Sequence, residues 1–173
     1  SKVVDIRSKV NVLRHTESGS VPLDLAVKLS TGISTLSGRG PAFSDRLSYL
    51  VSIMAAKKVD RLSFQVAPMF ARFNRVSAGD QNNLFGLGFL AQYELNERFA
   101  LSAEYLPVLG ERNPGTEDMM AVSLNINTGG HIFQIFFTSS QWHGEQYIMA
   151  NNADRFWEGD FRFGFNINRV FGL

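Results

Sequence analysis

Cysteine is absent from the 173 residues. That excludes disulfide frameworks, Cys-based zinc sites and thiol catalysis. No run approaches the roughly 20 consecutive apolar residues of a membrane-spanning helix, and the first residues lack the apolar core of a secretory signal. An excess of one charge is missing too. The 17 basic and 16 acidic residues leave a net charge of +1, and no basic stripe points to nucleic acid. The chain opens at Ser1 rather than an initiator Met, which reads as a processed or partial product with any export signal upstream.

Aromatic residues and strict alternation are what the chain has instead. It carries 15 Phe, 4 Tyr and 2 Trp, clustered near the ends of strand-like segments, as the interfacial belts of membrane barrels are. Phe161, Phe163, Phe165 and Ile167 alternate with Arg162, Gly164, Asn166 and Asn168. The same rhythm recurs in about nine segments back to Val4, each near the ~9–11 residues that a tilted membrane strand needs. In the first segment Val4, Ile6, Val10 and Val12 oppose Asp5, Arg7, Lys9 and Asn11. The polar face carries both signs, with Arg7, Lys9, Asp24, Lys28, Arg46, Gln65, Glu94, Glu104 and Arg162 as candidate lumen-facing residues. The apolar face has no Lys, Asp or Glu at any strand centre. Lipid explains that, because a basic residue on a lipid-facing midplane position costs roughly 2–4 kcal/mol. The expected fold is all-β: an antiparallel up-and-down transmembrane barrel forming one domain over residues 1–173.

The connections alternate in length. Lys57–Asp60, Asn96–Arg98 and Gly129–Gly130 are short; Val76–Asn82, Gly110–Asp118 and Ser139–Asp160 are long. The two earliest connections, near Ser18 and Gly38, are of similar length and neither confirm nor break the alternation. Membrane barrels pair short periplasmic turns with long external loops. This predicts an outer-membrane barrel with a periplasmic C-terminus and an external loop carrying Trp142, Tyr147, Phe156 and Trp157. Single-chain barrels have even strand numbers, so nine strands predict that N-terminal strands are missing.

Several stretches resemble an uncharacterised family of Gram-negative outer-membrane β-barrels, a domain of unknown function. They are Leu62-Ser63-Phe64-Gln65-Val66-Ala67-Pro68, Ala103-Glu104-Tyr105, Gly130-His131-Ile132-Phe133-Gln134, Thr138-Ser139-Ser140 and Gly164-Phe165-Asn166-Ile167-Asn168-Arg169-Val170-Phe171. The resemblance covers most of the chain, and the opening resembles the family's middle. It implies a complete barrel of about twelve strands, with no enzymatic activity, cofactor or known substrate. Two places depart from the family: Ala71-Arg72-Phe73-Asn74 lacks a His, and the chain ends Phe171-Gly172-Leu173 rather than at the aromatic residue that usually serves as the assembly signal.

Candidate chemistry is sparse. His131 has lipid-side parity, and its outward neighbours Met120, Val122, Leu124 and Ile126 offer no nucleophile, so it reads as an interface anchor. Ser140, His143 and Glu145 spell a triad on paper, but triads are assembled by geometry and not by spacing. The last loop's aromatics could bind a partner, form an upper aromatic girdle or fold into the barrel mouth. Asn151, Asn152, Asp154, Glu158 and Asp160 supply hard oxygen ligands without a calcium-loop spacing. His15 and His143 have no partner at metal-ligand spacing. Gly86-Leu87-Gly88 precedes no helix and is no nucleotide fingerprint; small inward residues relieve crowding or bend a strand. Pro68 predicts a bulge or an outer strand end. No catalytic residue, metal or cofactor is expected. The expected partners are the lipid bilayer and other outer-membrane or periplasmic proteins. The leading functional expectation is a channel for small polar solutes; the alternative is a non-transporting structural or assembly subunit.

Overall fold

The computed structural model describes residues 3–14, 22–35 and 42–169. His15, Phe171 and the connections near Ser18 and Gly38 lie outside the described residues. The alternating segments form β1 (Val3–Leu13), β2 (Asp24–Ser34), β3 (Leu47–Val59), β4 (Leu62–Phe73), β5 (Asn83–Glu94), β6 (Phe99–Leu106), a two-residue β7 (Val108–Leu109), β8 (Met119–Asn127), β9 (His131–Thr138) and β10 (Arg162–Arg169). One helix, α1 (Glu145–Asn151), and two 3-10 turns, Phe43–Arg46 and Phe156–Glu158, occupy the connections. Every long strand pairs antiparallel with its neighbours in chain order, and β7 pairs with β5 beside that path. The sheet curls into a half-barrel.

Period-two patterning sets which face each residue takes, because successive side chains on a strand point to opposite faces. The convex face exposes an apolar wall: Ile6 is 63% exposed, Ile53 49%, Leu101 48% and Phe165 67%. Water-soluble monomers rarely expose contiguous apolar patches beyond a few hundred Å². Hydrocarbon is therefore the solvent of this face. No described helix is long and apolar enough to cross a membrane, so the strands are the crossing elements.

Short turns cluster at one end of the sheet: residues 60–61, 95–98 and 128–130. Longer connections lie at the other: residues 74–82, 110–118 and 139–161. The first turn is tighter than the sequence predicts. Lys57 and Lys58 stay on the ladder opposite Phe64 and Ser63, and Asp60 turns the chain with φ of 53°, which a short polar side chain tolerates. Pro68 also corrects its expectation. It sits in the interior of β4, opposite Leu87, and its contacts with β3 show no register shift: Ser52 pairs with Met69 and Ala55 with Val66, while the two positions between are unpaired. A missing amide N–H removes a ladder bond without adding a residue.

Among the described residues, β1 pairs only with β2 and β10 only with β9. Nine alternating strands leave these two edges running parallel to each other. All-antiparallel closure of the gap therefore takes an odd number of further strands, whichever chain supplies them.

Candidate functional site

The concave face is where the sheet departs from a simple water-filled pore. After β9 the chain turns inward and α1 lies against the inner wall near the loop end. Five consecutive residues of α1, Gln146–Ala150, are buried. Tyr147, Ile148, Met149 and Ala150 pack into one cluster with Leu50, Ala71, Phe73, Leu84, Leu106, Val108 and Met119 from β3 to β8. Leu84 is fully buried and Met149 is 1% exposed. This half of the lumen is packed like a protein interior.

Two glycines make that approach possible. A Cβ at Gly32 would strike the Tyr147 hydroxyl, and one at Gly86 would strike the Met149 sulfur. Gly86 thus relieves crowding. Tyr147 is fixed further by an edge contact to Phe73 at 5.8 Å and by stacking on Trp142 at 6.2 Å.

Polar contacts tie α1 and its flanks to the wall. The Lys28 ammonium pairs with the Glu145 carboxylate. The Tyr147 hydroxyl lies 2.7 Å from Ser48 Oγ. Gln146 Nε2 donates to Asp5 and to Ser30 Oγ, both at 3.4 Å. Arg7 donates to the His143 carbonyl at 2.9 Å and to Asp5 at 2.8 Å. From the neighbouring loop, Asn113 donates to the Ala150 carbonyl at 2.9 Å, and the Glu117 amide donates to the Asn152 carbonyl at 2.6 Å. The tethers span β1, β2, β3 and the β7–β8 connection.

The residues expected to face the lumen distribute unevenly. Arg7 and Lys28 hold the helix. Lys9 is exposed opposite Lys28, and Asp24 is exposed at the start of β2. Gln65 and Glu104 line a cavity beneath α1 together with Lys28 and Glu145. Glu94 pairs with Lys58 at the short-turn end. Arg162 pairs with Asp154 and donates to the Ser139 carbonyl at 3.3 Å. Arg46 is corrected: it closes a 3-10 turn ahead of β3 rather than lying on a strand, because Ser44 and Asp45 favour a turn over a ladder.

The short-turn half of the concave face is polar and open. A recess of about 1150 Å³ is lined by Arg61, Gln92, Glu94, Asn96, Glu97, Arg98, Asn125 and Asn127, among others. From Asn125 in its wall a side-chain network runs across neighbouring strands. Asn125 reaches Ser102 Oγ at 2.6 Å, Ser102 lies 2.9 Å from Ser123, Gln134 donates to Ser123 at 3.1 Å, and Asn166 donates to Gln134 at 3.0 Å.

The aromatics expected on an external loop are also split. Tyr147 is a buried packing residue, and Trp142 is half-buried beside it. They fold inward, one of the three destinations the loop's sequence left open; the apolar cluster under the loop offers them more contact than water does. Trp157 is 83% exposed and packs on Phe156, which meets Phe161, which meets Phe137 on the convex wall, each at 5.6 Å. Below Trp157, the Glu117 carboxylate followed by that of Glu158 raises the affinity of the Arg155 guanidinium for its proton.

Ser140, His143 and Glu145 are not brought together as a triad. Ser140 Oγ accepts the Trp142 amide at 3.1 Å, His143 presents its carbonyl to Arg7, and Glu145 holds Lys28. Asp154 and Glu158 are engaged by Arg162 and Arg155. No group of three or more His, Asp or Glu able to hold a metal occurs among the described residues. His131 starts β9 at the short-turn end, with its ring 6.2 Å from Phe133 on the outer face.

A curled antiparallel sheet with an apolar convex face, a polar concave face and turns sorted by length defines a membrane β-barrel wall. The comparison of sequences agrees: the family model described as a membrane-bound β-barrel domain matches residues 1–171. The chain belongs to that family. No curated protein matches it, and no solved structure does.

Proposed function

We propose that this chain is the wall of a closed outer-membrane β-barrel, with a structural or assembly role rather than a transport role. The supporting observation is the packed cluster around α1. Tyr147, Ile148 and Met149 occupy the loop-end half of the lumen, where a solute would have to pass, and they do so with side chains buried to interior levels. The sorting of short turns to one end supports a periplasmic C-terminus and an external loop end. In this reading the rim aromatics around Trp157 and the polar recess at the short-turn end are docking surfaces for lipid and for periplasmic proteins. Catalysis has no part in it, since Ser140, His143 and Glu145 each serve a different contact.

The recess supports a second reading, a channel for small polar solutes. Its amide- and hydroxyl-rich wall suits hydrated cargo, and α1 would then have to leave. Planar-bilayer recording on the full-length protein separates the two. The structural reading expects a silent membrane. Stable open steps in the wild type would overturn it, and steps that appear only after deletion of residues 145–151 would identify α1 as the barrier.

A further inference from the structure

The convex wall is not evenly filled. A groove of about 600 Å³ crosses it, floored by Ala91, Ala103 and Val122 and edged by Tyr93, Leu101 and Phe137. Register explains the dent. Phe64, Ala91, Ala103, Val122 and Phe137 lie opposite one another in a single row across β4, β5, β6, β8 and β9. The rows on either side carry long side chains: Phe89 pairs with Tyr105 on the loop side, and Tyr93 with Leu101 on the short-turn side. Adjacent alanines therefore sink the middle of the row below its neighbours. The volume falls within the range of small-molecule sites, about 300–1,000 Å³.

The same row begins at a charge. Lys57 of β3 pairs with Phe64, so it stands on the convex face two strands from Ala91. It is exposed near the short-turn end of β3, a depth from which a lysine can reach the interface. Its neighbour Lys58 faces inward to Glu94. Among the described strand residues, the convex face carries Lys57, Arg72, His131 and Arg169, all near strand ends, but no Asp or Glu. The row also climbs. Lys57 and Phe64 lie near the short-turn ends of their strands, and Phe137 lies near the loop end of its own. From Lys57 to Val122 it spans four strand spacings, about 19 Å. The groove thus leads obliquely from a basic group at the interface into the hydrocarbon.

We propose that this groove holds one acyl chain of an anionic glycerophospholipid whose phosphate pairs with the Lys57 ammonium. Shape and charge select that occupant together. A floor of methyl groups calls for an alkyl chain, because a void on the wall forfeits dispersion contacts. An ammonium at interfacial depth, on a face without carboxylates, calls for an anion. A phospholipid joins the two. A second copy of this chain would have to bring an acidic group from a convex face that has none among its described strand residues. The site rests on hydrocarbon being the solvent of the convex face, and is independent of whether the lumen is open.

Native mass spectrometry of the full-length protein, released from detergent with added phosphatidylglycerol or phosphatidylcholine, tests this. The first phosphatidylglycerol is expected to bind roughly fivefold more tightly than the first phosphatidylcholine, the worth of one interfacial cation. Lys57→Gln is expected to bring the two lipids level, and Lys57→Arg to keep the preference. Ala103→Phe, and separately Ala91→Phe on the next strand, fill the groove without touching the lumen cluster. Each is expected to weaken the first binding of both lipids to the level of later copies. Equal affinity for the two lipids in the wild type overturns the site. So does a preference that survives Lys57→Gln, or a first binding that neither filling changes. A wild-type dimer that Ala103→Phe splits also overturns it, the groove then seating a second copy. Insertion of the wild type into lipid vesicles, read by protease protection, keeps the result separate from membrane placement: protein that inserts but shows no lipid preference loses the site alone.

Discussion

Substituting Gly32 with alanine tests the seating of α1 most directly. Gly32 lies on β2 opposite Ser48, and an added methyl would meet the Tyr147 hydroxyl, Ser48 Oγ at 2.6 Å and the Tyr147 ring carbon Cζ at 2.9 Å. Tyr147 is rigid, is stacked on Trp142 and meets Phe73 edge-on, so the ring has little room to retreat. Overpacking of this kind costs about 1–3 kcal/mol, or roughly 5–150-fold in a local opening equilibrium. Tyr147→Phe alone removes the hydroxyl bond to Ser48, a loss of about 0.5–1.5 kcal/mol. The double variant deletes the atom that the new methyl strikes hardest. Its destabilisation is therefore expected to fall short of the sum of the singles by at least ~0.5 kcal/mol, the usual floor for residues in contact. Hydrogen exchange over residues 145–151 in detergent micelles reads all four corners of the cycle. Strict additivity would refute the reasoning, because it would mean that Gly32 and Tyr147 do not touch.

Met149→Ala empties part of the lumen cluster and is expected to cost about 2–5 kcal/mol, read as faster exchange of α1 at unchanged β-sheet content by circular dichroism. Lys28→Met leaves the Glu145 carboxylate facing Glu104 without its ammonium. It is expected to free α1 to limited proteolysis, at a cost below the ~3–5 kcal/mol of a fully buried broken pair, since both side chains keep some exposure. Ile53→Arg places a charge on the convex wall near the middle of β3 and is expected to lower folding stability in lipid vesicles by roughly 2–4 kcal/mol. Stability unchanged by Ile53→Arg would mean that this face does not meet hydrocarbon.

Much of this was legible in order along the chain. Ile6, Ile53 and Phe165 face outward because alternation is a local property: the two-residue period alone fixes which side a side chain takes. The nine long strands and the sorting of turns follow from the same pattern. Pro68 and Arg46 were harder. A proline inside a strand is tolerated only if neighbouring ladders hold, and a 3-10 turn at Phe43–Arg46 continues the apparent rhythm of β3 without belonging to it. Each depends on contacts with other segments.

The last loop marks the boundary. Its sequence showed aromatic and polar residues in no period, and several destinations fit them equally well. Gly32 and Gly86 lie over fifty residues apart in sequence, and each is informative only when the sheet sets them opposite Tyr147 and Met149. The joining of Lys28, Ser52, Glu104 and Glu145 around one cavity is likewise a product of curvature. Strand identity, facing and membrane solvent were determined by the sequence itself, because they rest on nearest-neighbour periodicity and on the cost of charge in lipid. Whether the lumen is filled, and by what, was decided only by the tertiary structure, because it rests on side chains that meet on the concave face from residues far apart in sequence, 99 positions for Ser48 and Tyr147 and 141 for Asp5 and Gln146.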